Sequence, residues 1–365
     1  MNFDKVILVT GGCGFIGSNL LKYMVNKYPN YHFVNMDALT YAGNIENLME
    51  VDSYPNYTFY KGDIRNMEDI NIVFNSFDIT DVIHLAAESH VDRSIENPNV
   101  FVETNVMGTL NLLNAARHYW SIFPVNCDKH RFHHVSTDEV YGSLDNNPND
   151  KFKETTPYDP HSPYSASKAA SDLFVKAYHD TYGLDVTISN CSNNYGPNQF
   201  PEKLIPLMIT KLENGEQIPV YGKGENIRDW LYVEDHVKAI DLIFHNGKSG
   251  ETYNVGGDNE LTNIEVVDLV IGVYNVLKMS MDKNYKWVKF EDVVKFIPDP
   301  RGNAHDHKYS IDFTKIQTEL GWKPEGSFNT HIRETVEWYL KNKTWLNNIT
   351  SGAYKKWIDS YYNKK

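Results

Sequence analysis

The stretch TGGCGFIG (Thr10 to Gly17) limits what this chain can fold into more than any other, because it leaves an apolar strand, Val6-Ile-Leu-Val9, and opens a helix. Gly11, Gly14 and Gly17 give a G-x-x-G-x-x-G spacing. At such positions glycine permits a tight turn, lets backbone approach a pyrophosphate and lets the helix lie close on the sheet, with the helix N-terminus facing the anion. A glycine trio alone is weak evidence; in a strand–turn–helix context it points to dinucleotide binding. Asp37 closes the second strand, twenty residues beyond Gly17, where a carboxylate accepts hydrogen bonds from an adenosine ribose. The alternative is a loop aspartate capping the next segment. No arginine adjoins Asp37 in sequence to receive a 2′-phosphate, which favours NAD over NADP. Asp63 and Ile64, just past a short strand at 57–60, would border the adenine.

The rest of the N-terminal half repeats the same alternation. Apolar strands are expected at 31–36, 82–86, 132–136 and 186–189, with helices near 15–28, 66–76, 100–120 and 164–182. This predicts an α/β fold, a doubly wound parallel sheet of Rossmann type covered on both faces. Beyond residue 190, Pro197, Pro201, Pro206 and Pro219 break the rhythm. Short strands are expected near 218–221 and 252–255, a polar irregular stretch at 279–310 and a helix at 327–341. The organisation expected is a dinucleotide-binding domain over 1–190 with a later return near 225–250, a smaller substrate domain mainly over 191–340, and a surface appendage at 341–365.

Composition excludes several classes. The 35 basic and 48 acidic side chains leave a net charge of −13, which argues against a nucleic-acid partner. No apolar run approaches the ~20 residues of a membrane helix, and an acid within the first residues argues against a secretory leader. Cys13, Cys127 and Cys191 lack metal-ligand spacing, and the fourteen histidines include no helical metal pair, so no metal site is expected. A reducing, cytoplasmic setting fits. Only seven of the basic residues are arginine, so each merits scrutiny as a bidentate phosphate ligand. Arg228 and Arg301 flank positions where a diphosphate could lie; a structural ion pair is the alternative for either.

Tyr-x-x-x-Lys pairs recur seven times among 24 tyrosines, so spacing alone selects none of them. Context selects Tyr164 and Lys168, in HSPYSASKAASD, at the start of a helix. A phenol is a poor base at neutral pH unless a nearby ammonium favours its phenolate, and one helical turn puts Lys168 on the same face. STDEVYG ends a strand aimed at the cofactor cleft, and its Thr137, Asp138 and Glu139 offer a hydroxyl and two carboxyls. Two carboxyls in one site tend to differ in protonation, one acid and one base, which suits proton removal coupled to departure of a hydroxyl. An acidic helix cap is the alternative.

Together TGGCGFIGSN, DALTYAGN, LAAESHVDRSI, STDEVYG, YSASKAASD, NCSNNYGPNQFPEKLIP, PVYGKGENIRDWLYVEDH and YNVGG resemble the extended short-chain dehydrogenase/reductase superfamily, and within it the dTDP-glucose 4,6-dehydratases, over residues 3 to 340. GPNQFPEKLIP also resembles the UDP-glucose 4,6-dehydratases. The resemblance implies that Phe15, Ile16, Asp37, Ala38, Leu39, Thr40, Asp63, Ile64, Leu85, Ala86, Ala87 and Thr104 line NAD, with Asn194 touching it. Tyr164 and Lys168 would serve both catalysis and the nicotinamide ribose. Ser89, Thr137, Asn193, Lys203, Leu204, Pro219, Tyr221, Arg228, Asn263 and His305 would hold a nucleoside-diphosphate glucose. The activity implied is conversion of NDP-glucose to NDP-4-keto-6-deoxyglucose and water, with NAD recycled. Apolar stripes at 102–116 and 164–178 would form the interface of a homodimer, packing within the subunit being the alternative. An epimerase, or a non-catalytic sugar-nucleotide binding protein, are the other readings; Asp138 and Glu139 oppose the first, the Thr/Tyr/Lys set the second. One departure from the family is DPRGNAHD (Asp299 to Asp306), where the usual stretch reads Asp-Arg-Pro-Gly-His-Asp.

Overall fold

The computed structural model describes residues 3–122, 130–144, 150–302 and 305–351, which leaves Cys127 outside the described residues. Six N-terminal segments form strands: β1 (Lys5–Thr10), β2 (Tyr31–Asp37), β3 (Tyr57–Lys61), β4 (Asp81–His84), β5 (Phe132–Thr137) and β6 (Val186–Cys191). Within β1, Ile7 and Val9 pack on one face with Leu20, Phe33 and Ile83. Leu8 packs on the other with Val34, Val82, Leu112 and Val175. A strand buried on both faces needs apolar residues at every position, which is why these segments read as continuous hydrophobic runs.

Six further strands follow: β7 (Asn193–Tyr195), β8 (Ile218–Tyr221), β9 (Ile227–Tyr232), β10 (Thr252–Val255), β11 (Glu260–Thr262) and β12 (Val294–Ile297). The central sheet runs β10-β6-β5-β4-β1-β2-β3, and its pairings are parallel. The order reverses between β1 and β4, so a crevice opens at the carboxyl ends of these strands. Two small sheets, β11-β9-β7 and β12-β8, lie beyond it. A separate apolar core joins β8 and β9 to the helices Leu204–Glu213, Asn263–Met281 and Phe328–Lys341 through Met208, Ile209, Val266, Val270, Ile332 and Val336.

The helix Val233–Asn246 packs against the helix Phe15–Lys27, and β10 then joins the edge of the sheet. Other expectations change. The helix expected at 100–120 is a short α-turn, a π-helical stretch Val102–Met107 and an α-helix Gly108–Ile122. The π-segment is fixed by tertiary contacts: the Asn105 side chain accepts from the Glu88 N–H (2.8 Å) and donates to the Glu88 carbonyl (3.0 Å), while Ser171 donates to the Asn105 carbonyl (2.7 Å). The stretch 279–310 contains a helical turn, Phe290–Val293, and β12. The appendage expected at 341–365 instead begins with a docked helix, Lys343–Ile349, whose Trp345 and Leu346 are buried; residues 352–365 lie outside the described residues. The apolar stripes divide: Leu113, Ala116, Ala169 and Tyr178 are buried within the subunit, whereas Val102, Met107, Leu173 and Phe174 are exposed. No described helix is long and apolar enough to cross a membrane.

Candidate active site

The glycine turn is built for close approach. Gly11 sits at φ +73°, and a Cβ there would come within 2.7 Å of Ala86 backbone; at Gly17 a Cβ would lie 2.3 Å from the Gly11 carbonyl oxygen. Both positions therefore exclude other residues, and the cradle they leave fits a dinucleotide pyrophosphate at the N-terminus of the helix Phe15–Lys27. Gly11, Gly14, Phe15, Ile16, Gly17, Asp37, Ala38, Thr40, Asp63, Ile64, Leu85, Ala86, Ala87, Thr104 and Asn194 line the cavity that continues from this turn. Leu39 does not: its backbone N–H donates to Asp37 (2.8 Å) and its side chain packs into the core beside β1. Asp37 also accepts from the Cys13 N–H (2.9 Å), so its carboxylate fixes the glycine turn as well as facing the cavity. An arginine does reach this cavity from elsewhere: Arg65 lines it, with its guanidinium donating to Asp63 Oδ2 (2.6 and 2.9 Å) and to Oδ1 (3.1 Å). Arg65 is thereby spent on a carboxylate.

The same cavity runs on to the acid–base cluster. Thr137 ends β5 and caps a single 3₁₀ turn, Asp138–Tyr141, its hydroxyl accepting from the Glu139 N–H (3.3 Å). Opposite lies the helix Pro163–Tyr182, started by Ser162 and Ser165 in a reciprocal capping box with Pro163 at its first position. That start places Tyr164 and Lys168 one turn apart on the wall of the cavity. Tyr164 is 9% exposed, Lys168 4% and Asp138 1%, so none is well hydrated. Burial raises the Tyr164 phenol well above its ordinary range, and Glu139 adds to this. Burial also raises Asp138 strongly, with Glu139 beside it, and so keeps Asp138 protonated; the one hydrogen bond to its carboxyl among the described residues comes from Thr137 at 3.4 Å. Glu139 is raised by burial, but Lys203, Arg228 and Arg301 oppose the shift. The two neighbouring carboxyls are thus held unequally, Asp138 raised more strongly than Glu139.

A second cavity meets the first at Glu139, Asn193, Asn194, Gln199, Glu202 and Lys203. Leu204, Pro219, Tyr221, Arg228, Asn263, Arg301 and His305 line it, and Ser89 lies where the first cavity approaches it. Arg228 is committed in part to structure: Nη1 donates to the carbonyls of Ile227 (2.7 Å) and His307 (3.2 Å), and Nη2 donates to that of Asp306 (2.9 Å). Arg301 in the altered DPRGNAHD stretch is held by Asp92, which also accepts from the Tyr221 hydroxyl (3.1 Å). Sequence reasoning missed His90, Asp92, Gln199, Glu202 and Tyr309, all lining this space. His90 and Asp92 lie inside LAAESHVDRSI and Glu202 adjoins Lys203, so position within those motifs was a usable signal; Tyr309 had none. No group of three or more metal-ligating side chains occurs among the described residues.

A seven-stranded parallel sheet with a glycine-turn cradle, joined to a tyrosine–lysine wall and an adjoining second cavity, defines the class: an extended short-chain dehydrogenase/reductase with a sugar-nucleotide site. The family model for GDP-mannose 4,6 dehydratase matches residues 8–335. A dTDP-glucose 4,6-dehydratase of Escherichia coli is 50% identical over 364 residues, 98% of each chain. Among solved structures, a dTDP-glucose 4,6-dehydratase of Bacillus anthracis in complex with NAD has TM-score 0.82 and 43% identity, covering 94% of this chain and 99% of that one. The Streptomyces venezuelae enzyme DesIV, also with NAD bound, has TM-score 0.83 and 42% identity over the same shares. The chain belongs to the dTDP-glucose 4,6-dehydratase family.

Proposed function

We propose that this chain removes water from dTDP-glucose to give dTDP-4-keto-6-deoxyglucose, with NAD in the cavity that begins at the glycine turn. The observation that carries this reading is the Asp138–Glu139 pair, Asp138 buried and Glu139 partly so, facing Tyr164 across one cavity. Oxidation and re-reduction of C4 would need only Tyr164, Lys168 and Thr137; loss of a C6 hydroxyl needs an acid for that oxygen and a base for the C5 proton. NAD held there supplies a hydride acceptor at C4 and a donor at C6. Tyr164, favoured as phenolate by the Lys168 ammonium, takes the C4 hydroxyl proton while Thr137 steadies the oxygen. The C4 ketone acidifies C5, Glu139 removes that proton, and Asp138 protonates the departing C6 hydroxyl. Glu139 then returns its proton to C5. Lys203, Arg228 and Arg301 surround the second cavity with positive charge suited to a diphosphate, and Tyr221, Pro219, Leu204 and Asn263 suit the nucleoside.

The exposed apolar side chains Val102, Met107, Leu173 and Phe174, on adjoining helical segments, support a homodimer, and the composition supports a cytoplasmic enzyme. The test is incubation of the purified protein with dTDP-glucose and, separately, UDP-glucose, read by mass. Loss of one water with a preference for dTDP-glucose is expected. Epimerisation without loss of mass, or no turnover of either sugar, would overturn the reading.

A further inference from the structure

The floor beneath Lys168 holds two titratable groups that this reaction leaves unused. The Lys168 ammonium donates to the Val135 carbonyl (2.9 Å) and lies 3.4 Å from His134 Nε2. One helical turn further on, Asp172 is fully buried, and its Oδ1 lies 3.2 Å from the same His134 nitrogen. Its Oδ2 accepts from the Ser136 hydroxyl (2.9 Å) and the Tyr158 hydroxyl (3.0 Å). Burial pushes His134 well below its ordinary range, and the Lys168 ammonium adds to this, so the imidazole is neutral. The floor thus holds one ammonium and one carboxylate with a neutral ring between them. A buried ammonium without a countercharge tends to shed its proton. Burial lowers Lys168, and Asp172 is the largest influence opposing that.

We propose that Asp172 is a positioning residue for the oxidation step: its carboxylate keeps Lys168 an ammonium, and Ser136 and Tyr158 keep that carboxylate ionised by donating to it. The inference rests on the reading of Tyr164 and Lys168 as the pair that oxidises C4. Asp172 lines neither cavity, so it acts only through Lys168. Burial raises its carboxyl to about 6, against the pull of Lys168, Ser136 and Tyr158, which leaves it ionised at neutral pH.

The other titratable groups facing this floor are Tyr164 and Lys176 on the same helix, His134 on β5, Cys191 on β6, and Tyr141 and Tyr158 from the segment after β5. Asp138 and Glu139 face Tyr164 from above. His84 on β4, its ring 5.2 Å from that of His134, is also held neutral by burial. Lys176 lies at the outer edge, 5.7 Å above the Tyr158 ring. Among the described residues, Asp172 is thus the one anion on the floor side of Lys168.

The test is the pH dependence of turnover of dTDP-glucose by the NAD-loaded enzyme, as Asp172→Asn and as Tyr158→Phe. An opposite charge at this range moves a pKa by about one unit or more. Asp172→Asn should therefore cut kcat near pH 7 about tenfold, with KM little changed. Its acid limb should move about one unit higher, with activity recovering as pH is raised and the phenol ionises unaided. Tyr158 is only half-buried, so Tyr158→Phe should fold normally and move the same limb in the same direction by less. An acid limb that stays in place overturns the proposal even where kcat falls, because a merely structural residue lowers kcat alike at every pH. If Asp172→Asn does not fold, the Tyr158→Phe profile decides alone. Failure of the underlying reading looks different: Tyr164→Phe or Lys168→Ala would then retain parental turnover, whatever Asp172→Asn does.

Discussion

Arg228 carries two duties that one substitution can separate. Its guanidinium has five N–H donors. Three are used on the carbonyls of Ile227, Asp306 and His307, and the group lies 4.2 Å over the Tyr309 ring. Two donors are left to face the second cavity, which Arg228 lines while only 6% exposed. Arg228→Lys keeps the charge but replaces a planar fork with a point donor that can satisfy one carbonyl at most. Two charge-assisted hydrogen bonds are then lost from a buried setting, at about 1–2 kcal/mol each, giving about 2–4 kcal/mol of destabilisation. Urea unfolding of the protein without substrate reads that number. Calorimetric titration with dTDP reads the second effect, a fall in affinity of about tenfold from loss of the fork. If the unfolding midpoint holds while dTDP affinity falls, the carbonyl contacts are not stabilising. If both hold, Arg228 is neither a brace nor a phosphate ligand.

Glu139→Gln should separate oxidation from dehydration: enzyme-bound NADH fluorescence should rise on adding dTDP-glucose while water loss and solvent-deuterium entry at C5 nearly stop. Normal deuterium incorporation in that variant would assign the C5 base elsewhere. Asp92 lies at about 2 because Arg301 and His90 outweigh its burial. Its folded pKa is depressed below the ordinary 3.8, so it contributes stability above that value, lost as pH falls from about 4 towards 2. Asp92→Asn should thus narrow the difference in urea midpoint between pH 5 and pH 3, and an unchanged difference would refute the pairing. Trp345→Ala should lower stability by about 3–5 kcal/mol through the cavity it leaves. A loss near zero in denaturant unfolding would mean that the helix Lys343–Ile349 docks without energetic consequence.

What could be read from sequence was local. The glycine turn, Asp37 and the Tyr164–Lys168 turn are each set by contiguous residues whose types fix their geometry, and buried parallel strands announce themselves as apolar runs. The helix Asn263–Met281 also had a readable start, since Thr262 and Glu265 form a capping box and Val266, Val267, Val270 and Ile271 follow at helical spacing. The return of β10 to the sheet was not local: its partner β6 lies some sixty residues earlier. The π-segment was likewise illegible, because the Ser171 hydroxyl of a distant helix competes for the Asn105 carbonyl. Asp92 and Tyr309 meet the second cavity among partners distant in sequence, Arg301 and Tyr221 for the first and Arg228 for the second. Leu39 was assigned to the cofactor by its place in DALT, yet its neighbours Ala38 and Thr40 face the cavity while it turns inward at φ +53°.

The docked helix Lys343–Ile349 sets an order on how the site can be made. Trp345 Nε1 donates to Asn47 Oδ1 (2.6 Å), Asn198 donates to the same oxygen (3.2 Å), and Asn47 in turn donates to the Cys13 carbonyl (2.9 Å) within the glycine turn. One buried amide therefore clasps the first-made loop of the dinucleotide cradle to a loop from mid-chain and to a helix more than three hundred residues later. A nascent chain on the ribosome has its strands β1 to β6 long before that clasp can close. Asp37 can brace the glycine turn as soon as the first two strands pair, whereas the clasp through Asn47 closes only once residue 345 has been made, so it is the last brace added to the cradle.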